Sequence, residues 1–438
     1  MSAEIRDKIN KFIDELKGEY GVLPRFAHNL RPFNNQVLYS GFYWDNNELA
    51  AALESLIFSE WSISGEAVVR FENEFSKKIN IDYSLMTNSG SSSNLVMFAA
   101  AKDYFNWGEN DEIICSVCAF PTSVSVIYQN RLKPVFVDIS MEDLNMDLDQ
   151  IESKITHKTK AILFAPTLGN CCDVDRLVEI AKKHHLVLLL DNCDGIGTKW
   201  RGKYLNEYFF ASTCSFFASH HLSCIQAGMI SSSTKEFIEI CRQFVMWSRN
   251  CRCRGLQNLL PNGMCKKRFS NWIEELPDVT IDDKYYFTKM GYNLQPLEFQ
   301  GAIGLEQLKK FDEIHTKRKN HHKIIQDLLK KYIPSLKFPI ERAESDTSWF
   351  GVGIICENHE QKKRLVNYLE IQNKVQCRNF FSGNLLLHPG YKFLGDFREF
   401  PNSTEVIRSV LFLGCAPHYE ENEELDYLEK VLKQYGEI

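Results

Sequence analysis

Between about residues 65 and 250 the chain alternates two hydrophobic periods. The segment "EAVVRFENEFSKKI" (66–79) repeats its apolar residues at helical spacing, which predicts an amphipathic helix. "NSGSSSN" (88–94) is a turn that opens a second, apolar helix, "LVMFAAAKDYF". The runs "EIICS" (112–116), "KPVFVDI" (133–139), "KAILFAP" (160–166) and "LVLLLD" (186–191) are short and apolar on both sides. They predict buried parallel strands, with helical segments over 119–129 and 174–184 between them. In "STCSFFASHHLSC" (212–224) a strand from Thr213 to Phe217 stops at His220 and His221. The fold class is therefore α/β: an open, mostly parallel sheet covered on both faces, with ligands expected at the carboxyl ends of its strands.

After this region the pattern changes. Residues 247–285 are polar, rich in Cys and Arg, and have little periodicity. Residues 294–332 read as a long helical region linking two domains. From about 335 to 438, short strands such as "SWFGVGIIC" (348–356) mix with helices over 358–371 and 421–436, a small α+β unit. The expected division is an N-terminal segment (1–60), a large domain (61–315) carrying the insertion 247–285, and a small C-terminal domain (316–438).

Composition narrows the classes. A chain of 438 residues is too long for one ordinary core. Its net charge of −6 offers no general attraction to nucleic acid or to an anionic membrane. The opening "MSAEIRDKINKFIDELKGEY" is a charged amphipathic helix and not a signal peptide, and no run approaches the ~20 apolar residues of a membrane span. A cytoplasmic location is expected. Disulfides are then disfavoured, so among the 14 cysteines clustered thiols suggest metal or redox chemistry and scattered ones core packing.

Three local features carry candidate chemistry. "NSGSSSN" presents free N–H groups and hydroxyls at a helix N-terminus, which suits a phosphate or a plain helix cap. Asp191, after a buried apolar run, suits either a partner for a protonated cofactor ring nitrogen or a loop carboxylate. Phe120 in "CAFPTS" suits ring stacking or core packing.

Taken in order, "NSGSSSN", "CAFPTSV", "LLLDNCDGIGT", "STCSFFASHH" and "GYNLQPLEFQGAIGLEQL" resemble the motifs of the DegT/DnrJ/EryC1/StrS sugar aminotransferase family. The resemblance implies the fold type I architecture of pyridoxal-phosphate enzymes and a homodimer. It implies that Gly90, Ser91 and Ser92 bind the cofactor phosphate together with Ser215, that Phe120 stacks on the ring, and that Asp191 meets the ring nitrogen. Asp194 would stand near the ring hydroxyl, and Asn293 would reach the phosphate from the neighbouring subunit. His220 falls where the family places its Schiff-base lysine. Imidazole cannot make that covalent link, so the cofactor would be held non-covalently, best as pyridoxamine phosphate. An imidazole can still serve as a base at the cofactor's C4′ carbon. The implied reaction is loss of the sugar C3 hydroxyl rather than transamination. The alternative reading of His220 is a capped or core histidine, and His221 reads as structural.

The cysteines separate two branches of 3-dehydratases within that resemblance, one using pyridoxamine phosphate alone and one adding a [2Fe–2S] cluster. Cys193, Cys251, Cys253 and Cys265 resemble the cluster motif: 57 residues separate the first two, and "CRC" has one spacer. The eleven residues between Cys253 and Cys265 make a longer loop than that branch has, although "CKKRF" matches. Four thiolates suit an iron–sulfur centre, a Cys₄ zinc site or, taken singly, core thiols. Cys115, Cys118, Cys214, Cys356 and Cys415 read as packing, whereas Cys171 and Cys172 have no evident role. The family's "GEGG" turn is replaced by Ile225-Gln226-Ala227-Gly228. The resemblance thus implies C3 deoxygenation of a nucleotide-linked 4-keto-6-deoxyhexose, a CDP sugar foremost. Electrons would come from a flavin- or ferredoxin-type reductase, and the product would be a 3,6-dideoxy sugar for lipopolysaccharide O-antigen. A cluster-free dehydratase and a non-catalytic nucleotide-sugar binder are the alternatives.

Overall fold

The two-sided apolar runs assemble into one seven-stranded sheet in the computed structural model, which describes residues 3–20, 33–249, 268–269 and 271–437. Its strands are β1 (Tyr83–Thr87), β2 (Glu112–Ser116), β3 (Lys133–Val137), β4 (Thr159–Phe164), β5 (Val187–Asp191), β6 (Ala211–Ser215) and β7 (Gly228–Ser232). The spatial order is β1-β7-β6-β5-β4-β2-β3. Only β7 runs against its neighbours, because it follows β6 through a loop with no crossover helix. Alternate residues enter opposite cores, as a period of two requires. Ile113, Leu163, Leu189 and Ile230 pack on one face, whereas Ile114, Ile162, Leu188 and Leu190 pack on the other.

Helix α1 (Ala3–Tyr20) precedes α2 (Asn46–Phe58) and α3 (Glu66–Lys78). Then α4 (Gly90–Tyr104) and α5 (Pro121–Gln129) cover one face of the sheet together with α7 (Lys235–Val245), while α6 (Val174–Lys183) covers the other. The strand before His220 ends at Ser215, two residues earlier than the sequence pattern suggests, and residues 216–227 form a connecting loop.

The helical region expected over 294–332 comprises two helices, α8 (Glu298–Lys309) and α9 (Phe311–Tyr332). Lys310 leaves the helical conformation, with φ −93° and ψ 3°. Its ammonium is held by Glu48 at 2.7 Å and Asp45 at 3.0 Å. No Gly or Pro marks the break, so the pattern of residues alone does not reveal it.

Beyond α9, β8 (Gly351–Ile355), β9 (Cys377–Asn379) and β10 (Val410–Gly414) form an antiparallel sheet in the order β8-β10-β9. The N-terminal segment touches both parts of the molecule. Arg6 bridges Glu54 on α2 and Glu306 on α8, and Val37 pairs with Val375. Within the 247–285 region, the described residues include a hairpin of Asn271–Ile273 and the exposed strand Leu276–Ile281. No described helix is long and apolar enough to cross a membrane.

Candidate active site

At the carboxyl ends of the parallel strands lies a cavity of about 520 Å³, within the range of cofactor and ligand sites. The N-terminus of α4 forms one wall. Ser89 caps that helix by accepting the Ser92 N–H at 3.1 Å. Gly90 follows, and a Cβ there would lie 2.6 Å from the Ser215 Cβ. Only glycine lets the helix start approach the end of β6 so closely. Gly228 supports the turn from below, since a Cβ on it would lie 2.4 Å from the Ser89 carbonyl oxygen. Gly90, Ser91 and Ser215 thereby line one anion-suited corner, with the helix N–H groups pointing at it.

Asp191 closes the floor at the end of β5. Its Oδ2 accepts from Asn94 Nδ2 at 2.7 Å and from Ser123 Oγ at 2.6 Å, and its Oδ1 accepts the Cys193 N–H at 3.4 Å. The Thr213 hydroxyl donates to Asn94 Oδ1 at 2.5 Å and so fixes which way that amide points. The carboxylate is buried and rigidly aimed, yet it still borders the cavity. Phe120, the residue before α5, is 57% exposed and lines the same cavity. A core phenylalanine would not stand so free.

His220 faces this floor from the loop after β6. Its Nδ1 lies 3.4 Å from Asp194 Oδ1 and is a buried nitrogen with no hydrogen-bond partner. Its ring is 5.4 Å from that of Phe350. His221 behaves differently. Burial, reinforced by Arg318, holds its imidazole well below the ordinary histidine range, and Nε2 donates to the Ser348 carbonyl at 3.0 Å. That is a neutral, structural histidine. The turn after it keeps one glycine conformation without glycine: Ile225 sits at φ +71°, a left-handed geometry that β-branched residues rarely adopt.

The fold thus brings Gly90, Ser91, Phe120, Asp191, Asp194, Ser215 and His220 to one cavity, with Cys193 on its wall. Ser92 stands one step back, hydrogen-bonded to Ser89. Asn293 is exposed, pairs with Met246 and does not line this cavity within the same chain. Cys251, Cys253 and Cys265 lie outside the described residues. Burial first, and the Asp191 carboxylate second, push the Cys193 thiol well up. Among the described residues no group of three or more His, Cys, Asp or Glu side chains is arranged to hold a metal. Cys171 and Cys172 are buried core residues.

Sequence reasoning missed part of the cavity lining. Tyr39, Phe350, Arg378, Asn379 and His388 belong to it. The Arg378 guanidinium lies 4.1 Å over the Tyr39 ring. These residues come from distant segments, so no local motif signals them.

A pyridoxamine-type cofactor fits these residues. The glycine-permitted corner suits its phosphate, the fixed carboxylate its ring nitrogen, the free Phe120 face its ring, and the His220 imidazole its reactive carbon. None of the described residues lining the cavity is a lysine.

The sequence pattern of the DegT/DnrJ/EryC1/StrS aminotransferase family matches residues 44–432. The chain is 33% identical to the dTDP-4-dehydro-2,6-dideoxy-D-glucose 3-dehydratase of Saccharopolyspora spinosa, over 81% of this chain and 76% of that one. It is 32% identical to the lipopolysaccharide biosynthesis protein RfbH of Salmonella typhimurium, over 98% of each. Among solved structures, the E. coli GDP-4-keto-6-deoxy-D-mannose-3-dehydratase with bound hydrated PLP superposes with a TM-score of 0.77. It shares 29% identity and covers 92% of this chain and 100% of that one.

Proposed function

Because the chain belongs to the DegT/DnrJ/EryC1/StrS aminotransferase family, with the fold of its pyridoxal-phosphate enzymes, we propose that it is a pyridoxamine-phosphate-dependent 3-dehydratase of a nucleotide-linked 4-keto-6-deoxyhexose. One observation carries this reading: a histidine, His220, and no described lysine, meets the cavity that holds the Asp191 carboxylate and the phosphate corner. When bound, pyridoxamine phosphate supplies a primary amine that condenses with a ketone and a ring that accepts the electrons released at C4′. The protein supplies the rest. Gly90, Ser91 and Ser215 anchor the phosphate, Phe120 covers the ring, and Asp191 holds the ring nitrogen. His220 moves the C4′ proton, with Asp194 beside its Nδ1 to orient the imidazole. Tyr39, Arg378 and His388 face the sugar side.

The relatives' names point to dTDP and GDP sugars, and no feature of the cavity singles out the CDP sugar expected from the cysteine motif. A panel of dTDP-, GDP- and CDP-linked 4-keto-6-deoxyhexoses, incubated with protein and pyridoxamine phosphate and followed by mass spectrometry, tests the proposal. Loss of the C3 oxygen from at least one sugar is expected, matched by conversion of pyridoxamine phosphate to pyridoxal phosphate and release of ammonia, which supplies the two electrons; recovery of every sugar intact contradicts it. Likeness to RfbH supports a place in lipopolysaccharide synthesis.

The finer reading keeps a [2Fe–2S] centre on Cys193, Cys251, Cys253 and Cys265, fed by a flavin- or ferredoxin-type reductase. Its support is the cysteine spacing and the position of Cys193 on the cavity wall. Anaerobically purified protein should then carry iron and sulfide with visible absorption; an iron-free, colourless preparation leaves the cluster-free dehydratase. A homodimer belongs to the same reading, with Asn293 reaching the partner's phosphate corner and the exposed Leu56, Ile57, Phe58 and Met290 available for contact. Sedimentation at micromolar concentration should give twice the chain mass of 50.8 kDa.

A further inference from the structure

Arg318, on α9, is 1% exposed, and among the described residues no carboxylate lies within ion-pair distance of it. Burying a guanidinium without a counter-ion costs stability, so such a group persists where its hydrogen bonds organise something. Its Nη1 donates to the Phe350 carbonyl at 3.2 Å and the Trp349 carbonyl at 3.4 Å. Its Nη2 donates to the His220 carbonyl at 3.5 Å. The guanidinium carbon lies 5.8 Å from the centre of the Phe350 ring. Phe350 in turn faces the His220 imidazole at 5.4 Å. His221 ties the same two segments again through the Ser348 carbonyl.

We propose that Arg318 is a positioning residue for His220. By gathering the carbonyls of His220, Trp349 and Phe350 around one guanidinium, it sets the imidazole against the Phe350 ring at the cavity edge. The contacts are long for hydrogen bonds, so charge–dipole attraction to three carbonyls carries more of the effect than any one bond. A planar, always-charged fork can serve three acceptors at once, whereas a lysine ammonium on one stem cannot hold the same geometry. The consequence for function rests on the dehydratase reading above, but the geometry of the imidazole does not.

The test compares Arg318→Met and Arg318→Lys with the native protein. In cofactor-free protein, the ring-proton resonances of His220, assigned by their absence in His220→Asn, should carry the ring-current shift of Phe350. That shift should collapse in Arg318→Met and shrink in Arg318→Lys, while the methyl resonances of the sheet core stay in place; His221, which senses both Arg318 and Phe350, is no reference. With pyridoxamine phosphate and sugar, kcat should fall about 100-fold in Arg318→Met, the loss expected of a catalytic group displaced by about an ångström. KM should change little, since only a transition-state interaction is lost. A folded Arg318→Met with native His220 resonances and native kcat overturns the proposal. So does a variant in which the sheet-core resonances move as much as those of His220, because Arg318 would then be purely structural. Should Arg318→Met fail to fold, Arg318→Lys decides: native values in both readouts overturn the inference. If the native protein does not deoxygenate any sugar, the functional reading fails while the resonance comparison still decides this one.

Discussion

At the residue scale, the chemistry turns on His220 and its surroundings. His220→Asn keeps the size and polarity but removes the base, so 3-dehydration should fall by about 100- to 10,000-fold. Cofactor affinity, which the proposal assigns to Gly90, Ser215 and Asp191, should hold; equal losses in binding and turnover would contradict the proposed role. The swap of lysine for histidine was legible in the sequence because it interrupts a string of local motifs. The company His220 keeps was not. Phe350 and Arg318 lie about 100 residues or more away, and nothing local in the chain announces contact with them. Ile225 is the reverse case. The missing glycine of the turn was visible, and the structure supplies the cost: φ +71° in a β-branched residue. Ile225→Gly relieves left-handed strain of about 1–2 kcal/mol but loosens the unfolded chain by somewhat less. The melting temperature should therefore rise slightly, and a clear fall would show that the Ile225 side chain packs productively.

At the element scale, the start of α4 meets the ends of β6 and β7 with no spare room. Gly228→Ala places a methyl group against the Ser89 carbonyl, a backbone atom that cannot swing away. Destabilisation of about 1–3 kcal/mol is expected, with weaker phosphate binding because the same shift moves the helix N-terminus. Denaturant melts and a cofactor titration check both; native values in each would contradict the close approach. The strands themselves were readable from their apolar runs. The division between α8 and α9 was not, because it depends on Glu48 and Asp45 holding Lys310 rather than on any helix-breaking residue.

At the scale of the whole molecule, buried histidines make stability depend on pH. Desolvation lowers the pKa of His221, His315, His321 and His322, the last to about 3. Below about pH 6.5 the unfolded chain binds more protons at these rings than the folded chain does, so stability falls as the pH drops through that value. The buried carboxylates Glu48, Asp143, Glu298 and Glu424, raised by burial, act with the opposite sign. His322→Gln should flatten the slope of unfolding free energy between about pH 6 and 4 by about 1.4 kcal/mol per pH unit, one proton's worth. An unchanged slope would show that His322 titrates normally. The α/β class was legible from the sequence, and Gly90, Ser91, Asp191 and Ser215 could be picked out for the cavity because each belongs to one strand end or one turn. The contribution of Tyr39, Arg378 and His388 to the cavity became visible only when the chain was folded.

The central claim is that a base, and not a covalent lysine, works at this cavity. Nuclear magnetic resonance of the sugar recovered after anaerobic incubation with pyridoxamine phosphate tests it most directly. The account predicts a C3 methylene in place of the C3 hydroxyl, absent with His220→Asn; a 4-amino sugar that retains its C3 hydroxyl would contradict it.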